Sequence, residues 1–276
     1  MNETAFINDV IGNKMLGMQH FPDKVLAHSF IDDIFRFLFI GKTSDWNNDV
    51  ALKNWNGLKS SFEFLLAETT TGERESANYG TEFFNKLPIL YKALLQDAEA
   101  ILEFDPAAQN ISEVIMAYPG FYATVIYRLS HHLWQNNIRL LARLFTEFAH
   151  SKTGIDIHPG AQIGPAFAID HGTGIVIGET AIIGSNVKIY QGVTLGALHV
   201  EKSLASTKRH PTIEDEVVIY SGATILGGET VVGKGSIIGG NVWLTYSVPR
   251  NSVVYHTSEV KIKDRNPFPE PLNFVI

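Results

Sequence analysis

Apolar residues in the second half of the chain recur at a step of six, a period that neither an α-helix nor simple alternation selects. Ile163, Ile169, Ile177, Ile183, Ile189 and Leu195 form this comb, with one two-residue slip between Ile169 and Ile177. Glycine follows directly at Gly164, Gly178, Gly184 and Gly196. Two positions before each tooth stands a second small or apolar residue: Ala161, Phe167, Ile175, Ala181, Val187 and Val193. The comb resumes at Ile213, Ile219, Ile225, Val232, Ile238 and Leu244, with a one-residue slip before Val232. One short strand and one turn are therefore copied many times, which is the signature of a hexapeptide β-helix. Three such units close a triangular coil of roughly 18 residues whose comb residues stack inward in columns. The open ends of the stack need covers. The helical half can cover one end, and Trp243 with the segment after Leu244 the other.

The first 150 residues follow a different rhythm. Asp23–Ile40, Lys53–Ala67, Thr81–Glu103 and Phe121–Asn136 carry apolar side chains at three- and four-residue spacings, as amphipathic helices do. The polar stretch Glu68–Gly80 reads as a loop between two helical blocks, and Asp105-Pro106 and Pro119-Gly120 as breaks. The expected fold class is α+β: an all-helical domain over 1–150, then a left-handed parallel β-helix over 151–256. The final stretch, 257–276, holds Pro267, Pro269 and Pro271 and reads as an extended tail. Residues 197–210 interrupt the comb and end in Lys208-Arg209-His210; they read as a loop projecting from the prism, where solenoids commonly carry function.

Composition narrows the chemistry. The net charge is −7, from 22 Lys+Arg against 29 Asp+Glu, which argues against nucleic acid and anionic membrane as partners. There are no cysteines, so disulfides, thiolate metal sites and a cysteine nucleophile are excluded. No apolar run reaches the roughly 18 residues of a spanning helix. Glu3 and Asp9 stand where a signal peptide would be basic, so none is expected and a cytoplasmic address is the default. A Gly-x-Ser-x-Gly elbow, a phosphate-binding Gly-rich loop and the His-x4-His spacing of zinc-holding β-helices are all absent, so no metal is expected.

Two clusters could carry chemistry. Asp156-Ile157-His158 and Ile169-Asp170-His171 set acid and imidazole among inward-facing isoleucines, and Arg209-His210 closes the loop. His171 lies at the two-residue slip, where the backbone must deviate. It reads two ways: as a turn histidine on a prism edge, or as a general base, since imidazole can accept and return a proton near neutral pH. A base needs an orienting carboxylate, and Asp156, a little less than one coil earlier, is the candidate. His158 reads as part of the turn before Pro159, and His199 as a solvated loop residue.

At these positions the chain resembles a known family, the serine acetyltransferases of cysteine biosynthesis. The resemblance rests on Ile155-Asp156-Ile157-His158-Pro159-Gly160-Ala161, Asp170-His171-Gly172-Thr173-Gly174-Ile175-Val176, Gly178-Glu179-Thr180, Gly192-Val193-Thr194-Leu195-Gly196 and Arg209-His210-Pro211, in that order. Upstream, Asp105-Pro106-Ala107 and Gly120-Phe121-Tyr122-Ala123 through Tyr127-Arg128 are similar to the family's helical-domain motifs. The resemblance covers roughly residues 85–245 and implies transfer of the acetyl group of acetyl-CoA to the hydroxyl of L-serine. It makes His171 the general base and Asp156 its orienting carboxylate. Asp105 and Asp170 hold the serine ammonium, Arg209 pairs the serine carboxylate, and His210 lies beside the substrate. Gly196 and Ala197 offer backbone N–H groups to the thioester oxygen, and Ser221 and Gly222 line the run of CoA.

The resemblance further implies homotrimers or a dimer of trimers, with active sites between neighbouring prisms and the helical domain contributing to assembly and to the acceptor site. It also implies feedback inhibition by L-cysteine and docking of the terminal Ile276 into O-acetylserine sulfhydrylase. The chain departs from the family pattern at the longer loop 197–210, at Ala197 in place of a second glycine, at Tyr220-Ser221 and around Gly228–Thr230. The competing readings are a hexapeptide acyltransferase for a sugar or another amino acid, and a non-catalytic β-helix scaffold. A paired ammonium and carboxylate site favours an amino-acid acceptor over a sugar.

Overall fold

The computed structural model describes residues 2–15, 21–41, 47–69, 73–198 and 207–257. The helices come first: α1 (Glu3–Met15), α2 (Lys24–Phe39), α3 (Asn48–Ala67), α4 (Glu73–Phe104), α5 (Ile111–Ala117), α6 (Pro119–Gln135) and α7 (Arg139–Thr153). Their starts follow local chemistry. Asp23 caps α2 by accepting from the Val25 and Leu26 amides, and Asn110 caps α5 by accepting from that of Glu113. Pro119 opens α6 at a position that has no intrahelical acceptor for an N–H anyway. Gly154, in the left-handed conformation, closes α7. One expectation fails: α4 begins at Glu73, inside the stretch read as a loop over 68–80. Polar residues fill that stretch, and polarity alone does not separate the start of a helix from a loop. None of the described helices is long and apolar enough to cross a membrane.

The twelve teeth of the comb, with one strand before and one after them, become fourteen short parallel strands among the described residues. They run from β1 (Asp156–Ile157), β2 (Gln162–Ile163), β3 (Ala168–Asp170), β4 (Val176–Ile177), β5 (Ile182–Ile183), β6 (Lys188–Tyr190) and β7 (Thr194–Gly196) to β8 (Thr212–Ile213), β9 (Val218–Ile219), β10 (Thr224–Leu226), β11 (Val231–Val232), β12 (Ile237–Ile238), β13 (Trp243–Leu244) and β14 (Val253–Val254). Through most of the prism each strand pairs with the third one along, giving a first face β1-β4-β7-β10-β13, a second face β2-β5-β8-β11 and a third face β3-β6-β9-β12-β14. This is a parallel β-helix.

The slips appear as register. Ile157 pairs with Ile177 across 20 residues, Ile177 with Leu195 across 18, and Ile213 with Val232 across 19. Ile183 pairs with Ile213 across 30, so β8 takes its place on β5 with twelve residues more than a coil between them. Residues 199–206 of that stretch, with His199, lie outside the described residues.

Comb residues from Ile169 to Leu244 are at most 2% exposed, so the columns form a dry core. At its N-terminal end the prism is closed by α6: Ala123 and Tyr127 belong to the prism's apolar core, and the Tyr127 hydroxyl donates to the Ala161 carbonyl at 2.6 Å. At the other end Trp243 does not serve as a cover. It points outward from the first face, 67% exposed, because a single step from the inward Leu244 places its neighbour on the outer side. Val248, bridged to Val232, and β14 extend the stack there instead.

Helices and prism are joined by a buried ion pair. Asp97 of α4, fully buried, accepts from Arg128 of α6 at 2.5 and 2.7 Å and from the Phe167 amide at 2.9 Å. Arg128 also donates to the carbonyls of Ile163 and Gly164. Beside it, α6 meets β3 so closely that a Cβ on Gly120 would lie 2.6 Å from the Ile169 carbonyl oxygen. A glycine is required there for the helix to touch the strand that ends in Asp170.

Candidate active site

Strand order divides the candidate residues between two edges of the prism. The turns that lead from the third face to the first hold 171–175, 191–193 and 220–223. Those that lead from the first face to the second hold 158–161, 178–181 and the base of the loop at 197–211.

The first edge carries Asp170 and His171. His171 has φ +57° and is followed by Gly172 and Gly174, also at positive φ, so the two extra residues of the slip are absorbed in this turn. The turn lifts the imidazole into solvent, with 71% of the side chain exposed, while Asp170 beside it is 14% exposed. The ring Nε2 lies 3.7 Å from the Asp170 carboxylate. The helical domain brings Asp105 to the same place. Its carboxylate accepts from the Tyr118 hydroxyl at 2.5 Å and from the Ala107 amide at 2.8 Å. These bonds, the Tyr118 one foremost, hold Asp105 below the usual carboxylate range, with His171 adding to the effect. The same bond pushes the Tyr118 hydroxyl up to about 12. Burial, with the nearby Asp105 charge, moves Asp170 the opposite way, upward. An aromatic wall rises alongside: Phe104 meets Tyr190 edge-on at 5.3 Å, and Tyr190 stacks on Tyr220 at 5.0 Å and 9°. Tyr190 is the ladder neighbour of Asp170.

The second edge gathers Arg209 and His210 with three residues to which the sequence reading gave no role there. Arg209 is paired with Glu179. His210, 8% exposed, has its Nδ1 2.8 Å from the Thr180 hydroxyl. Its ring lies flat over Gly178, where any Cβ would collide with it. His158 sits in the same group. Its Nδ1 accepts from the Gly160 amide at 3.0 Å, and its ring meets Trp134 edge-on at 4.8 Å. Burial, then Arg143, lowers His158 to about 4; burial, then Arg209 and Lys208, does the same to His210. Both are neutral at physiological pH. Lys208 donates to the His210 carbonyl and helps fix the return of the loop.

Asp156 does not join His171 within the chain. It opens β1 on the first face, half-buried, and the charges acting on it are His150, Glu147 and Arg143 of α7. Burial raises its affinity for a proton. The estimate from one coil's length fails because Asp156 points outward from a flat face, whereas the slip swings His171 around the edge toward α5 and α6. The donor residues are divided likewise. Gly196 and Ala197 lie at the second edge and Ser221 and Gly222 at the first. The Gly222 amide donates to the Gln191 carbonyl at 2.9 Å, so it serves the turn ladder. Ile276 lies outside the described residues.

The charges are thus divided, with acids and an imidazole on one edge and a guanidinium and neutral imidazoles on the other. No family model matches the chain. It is, however, 52% identical over 244 residues to "Serine acetyltransferase, plasmid" of Synechococcus elongatus, an alignment that spans 83% of this chain and 73% of that one. The chain belongs to the serine acetyltransferase family. It is therefore an acyltransferase. The crystal structure of Entamoeba histolytica serine acetyltransferase 1 in complex with L-cysteine superposes with a TM-score of 0.77 at 36% identity, covering 83% of this chain and 86% of the other. The Neisseria gonorrhoeae serine acetyltransferase structure in complex with serine gives 0.59 at 25% identity, covering 87% and 97%. A helical part followed by a parallel β-solenoid is thus the shared architecture.

Proposed function

We propose that this family member transfers the acetyl group of acetyl-CoA to the hydroxyl of L-serine, giving O-acetyl-L-serine and CoA, at a site assembled from the first edge of one copy and the second edge of another. The observation that carries this reading is the division of charge. Asp105 and Asp170 at one edge suit an ammonium, and Arg209 with His210 at the other suits a carboxylate. An α-amino acid bridging two facing copies satisfies both, and a sugar satisfies neither.

His171 takes the serine hydroxyl proton as the oxygen attacks the thioester carbonyl, an effect worth roughly 10²–10⁴-fold. Asp156 of the facing copy orients that imidazole. Backbone N–H groups at Gly196 and Ala197 receive the tetrahedral oxyanion, worth about 3 kcal/mol per donor. As the C–S bond breaks, the His171 imidazolium returns its proton to the CoA sulfur. With no cysteine in the chain, a cysteinyl acyl-enzyme is excluded and transfer is direct. Ser221 and Gly222 shape the turn beside which CoA lies. L-Cysteine, isosteric with serine, occupies the same acceptor site as an inhibitor.

The assembly is a trimer of prisms, doubled through the helical domain, in the cytoplasm. Ile276 docks into O-acetylserine sulfhydrylase. The test is thiol release from acetyl-CoA across a panel of acceptors. Serine should stand far above sugars and other amino acids, and release no greater than with buffer overturns the reading.

A further inference from the structure

The turn after β4 holds a hydrogen-bond arrangement with one consistent assignment of protons. The Thr180 Oγ1 accepts from two backbone amides, those of Arg209 at 2.9 Å and His210 at 3.1 Å. Neither amide can act as an acceptor, so both hydroxyl lone pairs are taken. The hydroxyl proton then goes to the His210 Nδ1, 2.8 Å away. The Thr180 amide also donates to Nδ1, at 3.1 Å. Two donors therefore converge on one ring nitrogen, which must carry a lone pair. The proton of the neutral ring sits on Nε2, and protonating Nδ1 would set an N–H against both donors.

The surroundings act in the same direction. Arg209 and Lys208 flank the ring from its own segment, and His158 faces it from the turn after β1. Glu179, from the Thr180 turn, is the one charge favouring a cation, and its carboxylate is engaged by Arg209. Burial is the largest influence and lowers His210 to about 4.

We propose that Thr180 is a positioning residue that locks His210 in its neutral Nε2–H tautomer, so that the acceptor's carboxylate meets one guanidinium and one fixed neutral donor. The inference rests on the amino-acid-acceptor reading for its consequence in catalysis, and on the Thr180 geometry alone for the tautomer. A ring so fixed, and kept neutral by its burial, gives acceptor binding that is insensitive to pH across the range where free imidazole titrates. It also keeps a second proton acceptor away from the serine hydroxyl, leaving His171 unopposed as base.

The test has two arms. In ¹⁵N spectra of histidine-labelled full-length protein, with His210 assigned by difference from His210→Gln, Nδ1 should be unprotonated and Nε2 protonated from pH 8 down to pH 5.5. A protonated Nδ1 in the wild-type protein overturns the proposal, whatever the protein acetylates. In the second arm, the serine KM of Thr180→Val is divided by that of wild type. Loss of the enforced donor raises the ratio to about 3–10 at pH 8. Toward pH 6 the ratio stays in that range, because burial, Arg209 and Lys208 still hold the imidazole neutral, while kcat changes less than about 2-fold. Thr180→Ser, which keeps the hydroxyl, restores a ratio near 1 at both pH values. A ratio near 1 at pH 8, or a Ser variant as impaired as Val, overturns the lock. Absence of serine acetylation in the wild-type protein defeats the functional reading and leaves the first arm standing.

Discussion

Replacing Asp97 by Asn should uncouple the helical domain from the first coil of the prism. Asp97 is fully buried, and its partner Arg128 has a side chain only 10% exposed. The carboxylate takes two guanidinium bonds and one from the Phe167 amide. An amide side chain keeps the shape, removes the compensating charge and points N–H groups at a guanidinium that only donates. Removing one partner of a buried pair costs about 3–5 kcal/mol, chiefly because the other charge is left unpaired. For a chain of this size that corresponds to a fall in Tm on the order of 10 °C. The measurement is thermal and urea unfolding by circular dichroism, at one fixed protomer concentration because assembly contributes to apparent stability. The diagnostic is a cycle with Arg128→Met. If the cost is that of an unpaired charge, the double variant loses less than the two single variants together, by about 2 kcal/mol or more. An Asp97→Asn protein within ~0.5 kcal/mol of its parent, or costs that simply add, would refute the assignment of this pair as the clasp.

Three further outcomes are expected. Tyr118→Phe removes the strongest influence holding Asp105 low and one of the two bonds that orient its carboxylate, so the serine KM should rise about 3–10-fold; an unchanged KM would exclude Tyr118 from the acceptor site. His171→Ala should lower kcat by roughly 10²–10⁴-fold with assembly intact by light scattering, and an unchanged rate removes it as the base. His158 and His210 lie at about 4 in the folded protein against an ordinary 6.5, so between those values the unfolded chain binds more protons. Stability should therefore be full above pH 6.5 and decline as the pH falls toward 4, and urea midpoints that stay flat across that window, relative to His158→Gln/His210→Gln, contradict the burial of neutral rings.

The repeats were legible because they are local. A step of six, its glycines and its slips record one strand and one turn at a time, and the ladder partners follow by counting coils. Ile183 pairing with Ile213 shows that even the excursion at 197–210 was readable as an interruption that keeps the count. The helices were legible from spacing, except where the polar start of α4 resembled a loop. The residues proposed for the acceptor chemistry stand out in the sequence as types: an acid and imidazole at a slip, and Arg209-His210 at the foot of a loop.

Their arrangement was not legible, because it depends on which edge of the prism each turn occupies and on what packs against it from far along the chain. Counting coils set Asp156 near His171; the stacked structure sends one out from a flat face toward α7 and the other around an edge toward Tyr118 and Asp105. Tyr118, Glu179 and Thr180 acquire roles through bonds to residues 13 to 30 positions away, which no periodicity records. Thus the chain's own rhythm determined a prism of stacked coils beneath a helical cap, since burying apolar columns requires only a local repeat. The tertiary structure decided that the candidate residues are split between two edges, since an edge exists only once three faces have closed around the core.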